Sequence, residues 1–504
     1  MKILLEIAKV ANKKKVKKIE VFDEATLKHK NSKFNEFYEA VSSERFKNDR
    51  EAAQQLYRCG PGDARYRQLK SRFKKRLLNT LFFLDLNQPT ASTYDRTYYN
   101  CNKDWACVQI LQSNNAFAAA ENLAKSILTL ALKYRFSDLV VNCSRLLRAQ
   151  ATAGGNEKDF KIYDDHLKQF LPILEAELQT EEIFQQVTLL YNQSLAGKQN
   201  LMMTLEGYCN RMMTLSENFD SPIVQYYGYF VWALFYELKR EFDLVIEIAN
   251  EAESYIENQP QFFQKSKMVA FQIKKMSAFL HLQKFREGQD CANQLIRKFG
   301  GPNQEWFQFM EYYLLLALHS ENYIQAMAIL NQVLSAPEFK KLDSDTRDKW
   351  EIFKGYVYFL ANWRSLSQPL ETAKGRKKGF SVDQFLKDPG NYGKSLKTLK
   401  VLHIFLQILF LFDRRQYTEI SARIEQLKAM EHKNLKSDNS FRAVQFIRAL
   451  HLLRKNNYLV DKQTKTNKYI KAIQSKPFFY RGHIEELEVI PFEKLWAIIL
   501  DYSK

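Results

Sequence analysis

A short layout recurs along this chain and limits its fold more than any other feature. An aliphatic helix end is followed by a few polar residues, an aromatic residue and a second amphipathic stretch with small residues on one side. The aromatic residues in this position are Phe136, Phe242, Phe285, Tyr323, Tyr417 and Tyr458. Their spacings of 106, 43, 38, 94 and 41 residues fit a period of about 35–47 residues, with three units in the longest interval and two in the next. A period of this length is typical of helix-pair repeats.

The composition favours helices joined by short loops. Only 16 glycines and 11 prolines occur in 504 residues, too few for the many tight turns of a β-sandwich or a Rossmann-type sheet. Hydrophobic residues make up 46% of the chain, which is ample for a core. Since a single core stops growing at about 250–300 residues, the chain needs several domains or an extended repeat. We expect helix breaks near Gly154–Gly155, Asn218–Pro222, Gln259–Pro260, Gly300–Asn303 and Ala336–Pro337.

The recurring layout resembles the tetratricopeptide repeat family. Ala317, Tyr323 and Ala328 match that family's pattern of a first-helix end, an aromatic after the turn and a small residue where the helices cross. The resemblance covers roughly residues 105–475. It implies an all-α fold, an α-solenoid of antiparallel helix pairs, preceded here by a small basic helical N-terminal domain. The six aromatic residues are then expected in the repeat core, between neighbouring units.

The expected domain boundaries follow from breaks in this pattern. Residues 1–85 form the basic N-terminal domain, and residues 86–103 lack helical periodicity and form a linker. Helical repeats occupy 104–363 and 395–504. Between them, residues 364–394 form an insertion, because its prolines, glycines and basic string Lys374–Lys378 exceed an ordinary helix connection.

The positive charge is concentrated at the start of the chain. The formal net charge is +18, and residues 1–80 hold 21 lysines and arginines against 10 aspartates and glutamates. One cluster comprises Lys13, Lys14, Lys15, Lys17 and Lys18. A local excess of this sign attracts phosphates or acidic protein surfaces, although it also serves as a solvated face.

Residues 50–84 are the strongest candidate for a nucleic-acid contact. They predict a helix, a tight turn at Gly60–Gly62 and a second helix capped by Asp63. The second helix carries an apolar stripe of Leu69, Phe73 and Leu77. Its other faces carry Arg65, Arg67, Lys70, Arg72, Lys74, Lys75 and Arg76. This is either a helix-turn-helix that lays its basic helix on DNA, or an amphipathic helix that docks on the first repeat and shows its charges to water.

The sequence contains no pattern that supports catalysis. It has no phosphate-binding loop, dinucleotide fingerprint, zinc-protease motif or nucleophile elbow. The six cysteines form no C-x-x-C pair, and the histidines do not pair at helical spacing, so we expect no metal, no cofactor and no catalytic residues. The first residues do not fit a signal peptide and no apolar run is long enough to span a bilayer, so we expect a cytoplasmic protein.

Three functional hypotheses remain. The first is a non-catalytic intracellular adaptor that binds a protein partner through a helical-repeat groove. The second is a nucleic-acid-binding regulator that uses residues 1–85, with the solenoid as sensor or partner-binding domain. The third, an enzyme with a pocket in the 364–394 insertion, lacks any motif in its favour. The sequence leaves the oligomeric state open.

Overall fold

A computed structural model describes residues 32–43, 45–81, 93–193, 201–263, 266–296, 301–363, 380–390, 392–393, 397–434, 440–458 and 467–502. Within these ranges the regular structure is helical and no strand occurs, which confirms the all-α class. None of the helices in these ranges is long and apolar enough to cross a membrane. The chain divides into two compact units, residues 1–172 and 173–504.

The first three described helices of the first unit form their own small core. They are α1 (Lys33–Ser42), α2 (Asp49–Tyr57) and α3 (Ala64–Leu81). Phe37, Phe73 and Leu77 are fully buried at their centre, and the Phe37 and Phe73 rings lie 4.9 Å apart. The two helices and the intervening turn expected within 50–84 are present as α2 and α3 over the residues described.

The rest of the first unit consists of helices that pack against their neighbours. They are α4 (Thr93–Ser113), α5 (Phe117–Tyr134), α6 (Ser137–Ala153) and the beginning of α7 (Glu157–Asn192). α5 packs against both α4 and α6, and small residues such as Ala120, Ala124 and Ala131 are buried along it. Small side chains allow helix axes to approach closely, as the repeat layout implies.

The linker expected at 86–103 is wrong from residue 93 onward. α4 starts at Thr93, although its first turns lack a regular apolar stripe. Tyr94 and Tyr98 each place their rings 4.9 Å from Phe136 at the start of α6. These contacts with another helix stabilise a helix that local periodicity does not indicate.

The second unit continues with helices in neighbouring pairs. Its elements after α7 are α8 (Leu201–Asn218), α9 (Pro222–Lys239), α10 (Phe242–Glu257), α11 (Ser266–Leu282), α12 (Phe285–Leu295), α13 (Gln304–His319), α14 (Tyr323–Ser335), α15 (Ser344–Trp363), α16 (Val382–Lys387), α17 (Lys397–Asp413), α18 (Tyr417–Asn434), α19 (Phe441–Lys455), α20 (Asn467–Ser475) and α21 (Phe492–Tyr502). From α8 to α15 each helix packs on the next, and α11 also contacts α13. This pattern is compatible with a helical repeat. The helix boundaries confirm the expected breaks within the described ranges.

Two helices of the second unit are buried on almost every side. α13 and α17 have long runs of buried residues, including the polar His319 and Gln407. A helix that is apolar all round is a core helix, because a surface helix keeps one polar face. The 364–394 insertion supplies α16 to this core, where the Phe385 ring lies 4.3 Å from His403 of α17.

Residues 476–491 depart from the expected helical repeat at 395–504. Apart from one short 3-10 turn at Ile484–Glu486, they are not helical. Pro477, Gly482 and Pro491 account for this locally, since proline lacks a donor and Gly482 has a φ of +94°. We call residues 476–491 the crossing segment.

Candidate binding surfaces

The basic residues of α3 divide into paired and unpaired groups. Lys70 donates to both carboxylate oxygens of Asp49 at 2.8 Å, and Tyr66 donates to the same carboxylate at 2.7 Å. Burial alone raises the pKa of Asp49, but these hydrogen bonds outweigh it and lower that pKa to about 2. Lys70 therefore joins α3 to the start of α2.

Two further cations of α3 also have local partners. Arg65 pairs with Asp63 at 3.0 Å, and the Asp63 carboxylate accepts the Arg65 backbone N–H at 2.9 Å, which confirms the expected cap. Arg76 lies over the Phe34 ring, 4.8 Å from its centre. Arg65 therefore supports the start of α3, and Arg76 packs on the three-helix core.

Four cations of α3 remain available. Arg67, Arg72, Lys74 and Lys75 are exposed and have no ion-pair partner among the described residues. Leu78, 41% exposed, lies near Arg67 and Lys74 around the helix axis. The candidate contacts Lys13, Lys14, Lys15, Lys17 and Lys18 lie outside the described residues.

A cleft of about 720 Å³ opens between α4, α5 and α6 of the first unit. α4 contributes Trp105, Gln109 and Gln112, and α6 contributes Asn142 and Arg145. Arg145 is exposed and makes no ion pair or hydrogen bond with a described residue. The cleft thus offers an indole, several amides and an unpaired guanidinium on one surface.

One buried acceptor also lines this cleft. Gln150 donates through Nε2 to the Phe117 carbonyl at 3.4 Å, and its Oε1 is buried without a partner among the described residues. The Phe117 side chain is 55% exposed at the edge of the cleft. Buried polar atoms normally have partners, so Gln150 Oε1 is an unsatisfied acceptor in the wall of this cleft.

The crossing segment lies against helices of the second unit that are far apart in the sequence. Its main chain is held by their side chains: Arg240 donates to the Pro477 carbonyl at 3.1 Å, and His319 Nε2 donates to the Glu488 carbonyl at 2.9 Å. His281 accepts the Tyr480 N–H at 3.0 Å through Nε2. The same imidazole donates through Nδ1 to the Ser277 carbonyl at 2.7 Å, which fixes its neutral tautomer.

The side chains of the crossing segment are also paired with charged groups. Tyr480 donates to Glu311, which accepts from Lys349 at 2.5 Å as well. Arg481 donates to Glu486 and to the Tyr191 carbonyl at the end of α7. All six of these residues are buried or half-buried, so their hydrogen bonds contribute to the stability of the second unit.

Arg442 of α19 holds both ends of the crossing segment. It donates to the Ile473 and Lys476 carbonyls at 2.7 Å each, and to Glu488 at 2.6 and 3.1 Å. A further hydrogen bond reaches Glu493 at 2.8 Å. We call the surface defined by Arg240, His281, Glu311, His319 and Arg442 the receiving face.

The repeat aromatics occupy different environments. Phe136, Phe242 and Tyr323 are buried, and Phe285 and Tyr458 are half-buried. Tyr417 is 40% exposed, so the expectation that it lies in the repeat core is wrong. Its ring lies 5.1 Å from that of Tyr458 and 6.4 Å from that of Phe412.

The described residues contain no group of three or more His, Cys, Asp or Glu side chains that could hold a metal ion. Burial raises the pKa of Cys143 to about 12 and that of Cys101 to about 11, which keeps both thiols protonated. Neither cysteine is therefore an activated nucleophile.

Sequence reasoning missed both the cleft and the crossing segment. The cleft residues lie on helices whose facing sides depend on tertiary packing. The crossing segment had a local signal in three consecutive aromatics, Phe478, Phe479 and Tyr480, between Pro477 and Gly482. No sequence pattern indicates which helices it contacts. No protein-family model, curated protein or solved structure matches this chain.

Proposed function

We propose that this chain is a non-catalytic adaptor of the tetratricopeptide-like, α-solenoid type, which binds an extended peptide of a protein partner. The binding site is the cleft between α4 and α6. The observation that carries the proposal is the exposed, unpaired Arg145 beside Asn142, Trp105 and the partnerless Gln150 Oε1.

The cleft has the groups that recognise an extended chain. Amide side chains such as Asn142 and Gln109 both donate to carbonyls and accept from N–H groups, which an extended peptide presents in alternation. The Arg145 guanidinium suits a carboxylate, and Trp105 and Phe117 suit an apolar side chain. Elsewhere in this chain, Arg240 and Arg442 hold main-chain carbonyls in the same way.

The test is a peptide-array screen with the full chain, followed by measurement of Kd for the selected peptides. Arg145→Glu should weaken peptide binding at least 10-fold, because it replaces the guanidinium donor by a carboxylate that repels a carboxylate of the peptide. Lys161→Glu is the matched control, since Lys161 is an exposed cation of the same unit outside the cleft. Equal affinity of Arg145→Glu and the control would contradict this binding site.

A second candidate function is nucleic-acid binding through α3, in a regulator whose helical repeat binds a partner. The observation in its favour is the set of four exposed cations that form no ion pair with a described residue, Arg67, Arg72, Lys74 and Lys75. Removing a cation that neutralises one phosphate should reduce the slope of log affinity against log salt by about 0.9 for duplex DNA.

The test compares two full-chain variants with four alanine substitutions each, on duplex DNA and on RNA at several salt concentrations. One variant removes the four α3 cations, and the control removes the exposed Lys158, Lys161, Lys340 and Lys471. Lys70 is left intact because it binds Asp49. An unchanged salt slope in the α3 variant would exclude this function.

A further inference from the structure

The crossing segment is bound in the manner of a peptide ligand. Its main-chain groups at Pro477, Tyr480 and Glu488 are paired with side chains of the receiving face. Neighbouring strands or helical turns satisfy the main chain of ordinary structural elements, whereas side-chain recognition of an irregular chain is typical of peptide binding.

Aromatic packing gives this binding its sequence preference. The Phe478 ring lies 4.7 Å from His319 and 5.5 Å from His281. The Phe479 ring lies 5.7 Å from His281, and the Arg240 guanidinium lies 4.7 Å from the centre of that ring. Tyr480 is fully buried with its hydroxyl on Glu311.

Arg481 follows these three aromatic residues, and its guanidinium has defined hydrogen-bond partners. Its side chain is 1% exposed, paired with Glu486 of the same segment and bonded to the Tyr191 carbonyl of α7. A second hydrogen bond, from the Arg481 backbone N–H to Glu486 at 2.9 Å, folds the segment on itself. The segment therefore presents three aromatic rings to the receiving face and one guanidinium to the end of α7.

We infer that the receiving face is a peptide-binding site for a chain with three consecutive aromatic residues followed by arginine, and that residues 476–491 occupy it in cis as an exchangeable ligand. This site is distinct from the α4–α6 cleft. The side chains that hold the segment belong to α9, α11, α13 and α19 or follow them directly, and α7 supplies the Tyr191 carbonyl. These helices therefore provide the same donors and acceptors to the same sequence supplied in trans.

The first test uses a fluorescent synthetic peptide with the sequence of residues 476–491. The full chain with Phe478→Ala and Phe479→Ala retains its receiving face but holds its own segment more weakly. We expect this variant to bind the peptide at least 10-fold more tightly than the wild-type chain, in which the cis segment competes. A peptide carrying Arg481→Glu should not bind either protein.

A variant that gives a cooperative thermal transition and yet binds the peptide no better than wild type would overturn the inference. The second test needs no variant. In native-state hydrogen exchange of the wild-type chain, the Tyr480 and Arg481 amides should open before those of α13, because release of the segment leaves the helices folded. Identical protection of these amides and α13 at every denaturant concentration would show that the segment is an inseparable part of the core.

Discussion

The protonation of one buried side chain, His281, makes the binding of the crossing segment depend on pH. Burial lowers its pKa to about 4, although the hydrogen bond to the Ser277 carbonyl and the charge of Glu237 act in the opposite direction. Arg240 and Lys274 also face the ring and disfavour its protonation. Since Nε2 accepts the Tyr480 N–H, a protonated ring has no acceptor for that group.

We expect the second unit to lose stability as the pH falls from about 6.5 towards 4. In this window the unfolded chain binds a proton at His281 and the folded chain does not, so the free energy of unfolding decreases by up to about 3 kcal/mol. Urea unfolding from pH 7.5 to 4.5 measures the effect. His281→Gln keeps an acceptor for the Tyr480 N–H. It should reduce the slope of the free energy of unfolding against pH by about 1.4 kcal/mol per pH unit. An unchanged slope would contradict this role.

Gly482 is the second residue with a defined conformational role. Its φ of +94° is strained for any residue with a side chain, and a Cβ there would lie 3.3 Å from the Tyr312 hydroxyl. We therefore expect Gly482→Ala to destabilise the second unit by about 1–3 kcal/mol. Thermal or urea unfolding measures the change. Gly207→Ala is the control, because a Cβ at this helical glycine meets nothing within 4 Å, and it should be neutral or stabilising.

At the scale of elements, the Asp49–Lys70 pair fixes the position of α3 relative to α2. The pair is about one-third exposed and therefore partly screened by solvent. Lys70→Met keeps most of the aliphatic stem and removes the charge, so it should destabilise the α1–α3 core by about 1 kcal/mol. Lys74→Met, at an unpaired exposed position, should change stability by less than about 0.5 kcal/mol.

Limited proteolysis and urea unfolding of the full chain measure this difference. Faster cleavage within residues 32–81 in the Lys70 variant than in the Lys74 variant is the expected result. Equal behaviour would show that the ion pair contributes nothing to this core.

The sequence predicts elements where local signals and tertiary packing agree. Asp63 and the apolar stripe Leu69, Phe73 and Leu77 identify α3, and the stripe is buried as expected. The first part of α4, residues 93–103, was missed because Tyr94 and Tyr98 gain their partner Phe136 only in the folded unit. Local pattern thus locates helix ends well and identifies long-range contacts poorly.

The candidate sites follow the same division. The cations of α3 can be recognised in the sequence, and Arg65 has a local partner in Asp63. The partner of Lys70, in contrast, depends on the packing of α2 and α3, which brings Asp49 near. The α4–α6 cleft depends on the facing of two helices, and the receiving face depends on side chains from helices up to about 200 residues apart. Nothing in a single sequence specifies such groupings.

At the scale of the whole chain, the second unit buries several ion pairs. They are Glu237–Lys274, Glu311–Lys349, Arg442–Glu488 and Arg481–Glu486. Such pairs often add little net stability, because desolvation offsets their attraction, but they penalise misplacement of either partner. Three of the four pairs involve the crossing segment or a residue that contacts it, so they specify where that segment lies.

Arg442→Ala should therefore be severely destabilising, by about 3–5 kcal/mol, because it leaves Glu488 buried without its partner. Arg448→Ala is the matched control: its side chain is 43% exposed, and its partner Glu431 keeps Lys428 at 2.7 Å. We expect that control to lose at most about 1 kcal/mol. Urea unfolding of the full chain distinguishes the two variants, and similar losses would refute the role assigned to Arg442.

The hydrogen bond between Arg481 and the Tyr191 carbonyl joins residues 290 positions apart, and that between Tyr480 and His281 joins residues 199 apart. In a simple helical repeat each unit can fold as it leaves the ribosome, because it needs only its neighbours. Here the buried acceptors on α7, α11 and α13 have to wait for donors synthesised last. These acceptors therefore lack their native donors until residue 481 has emerged, so the hydrogen bonds of the receiving face are completed after its helices have been synthesised.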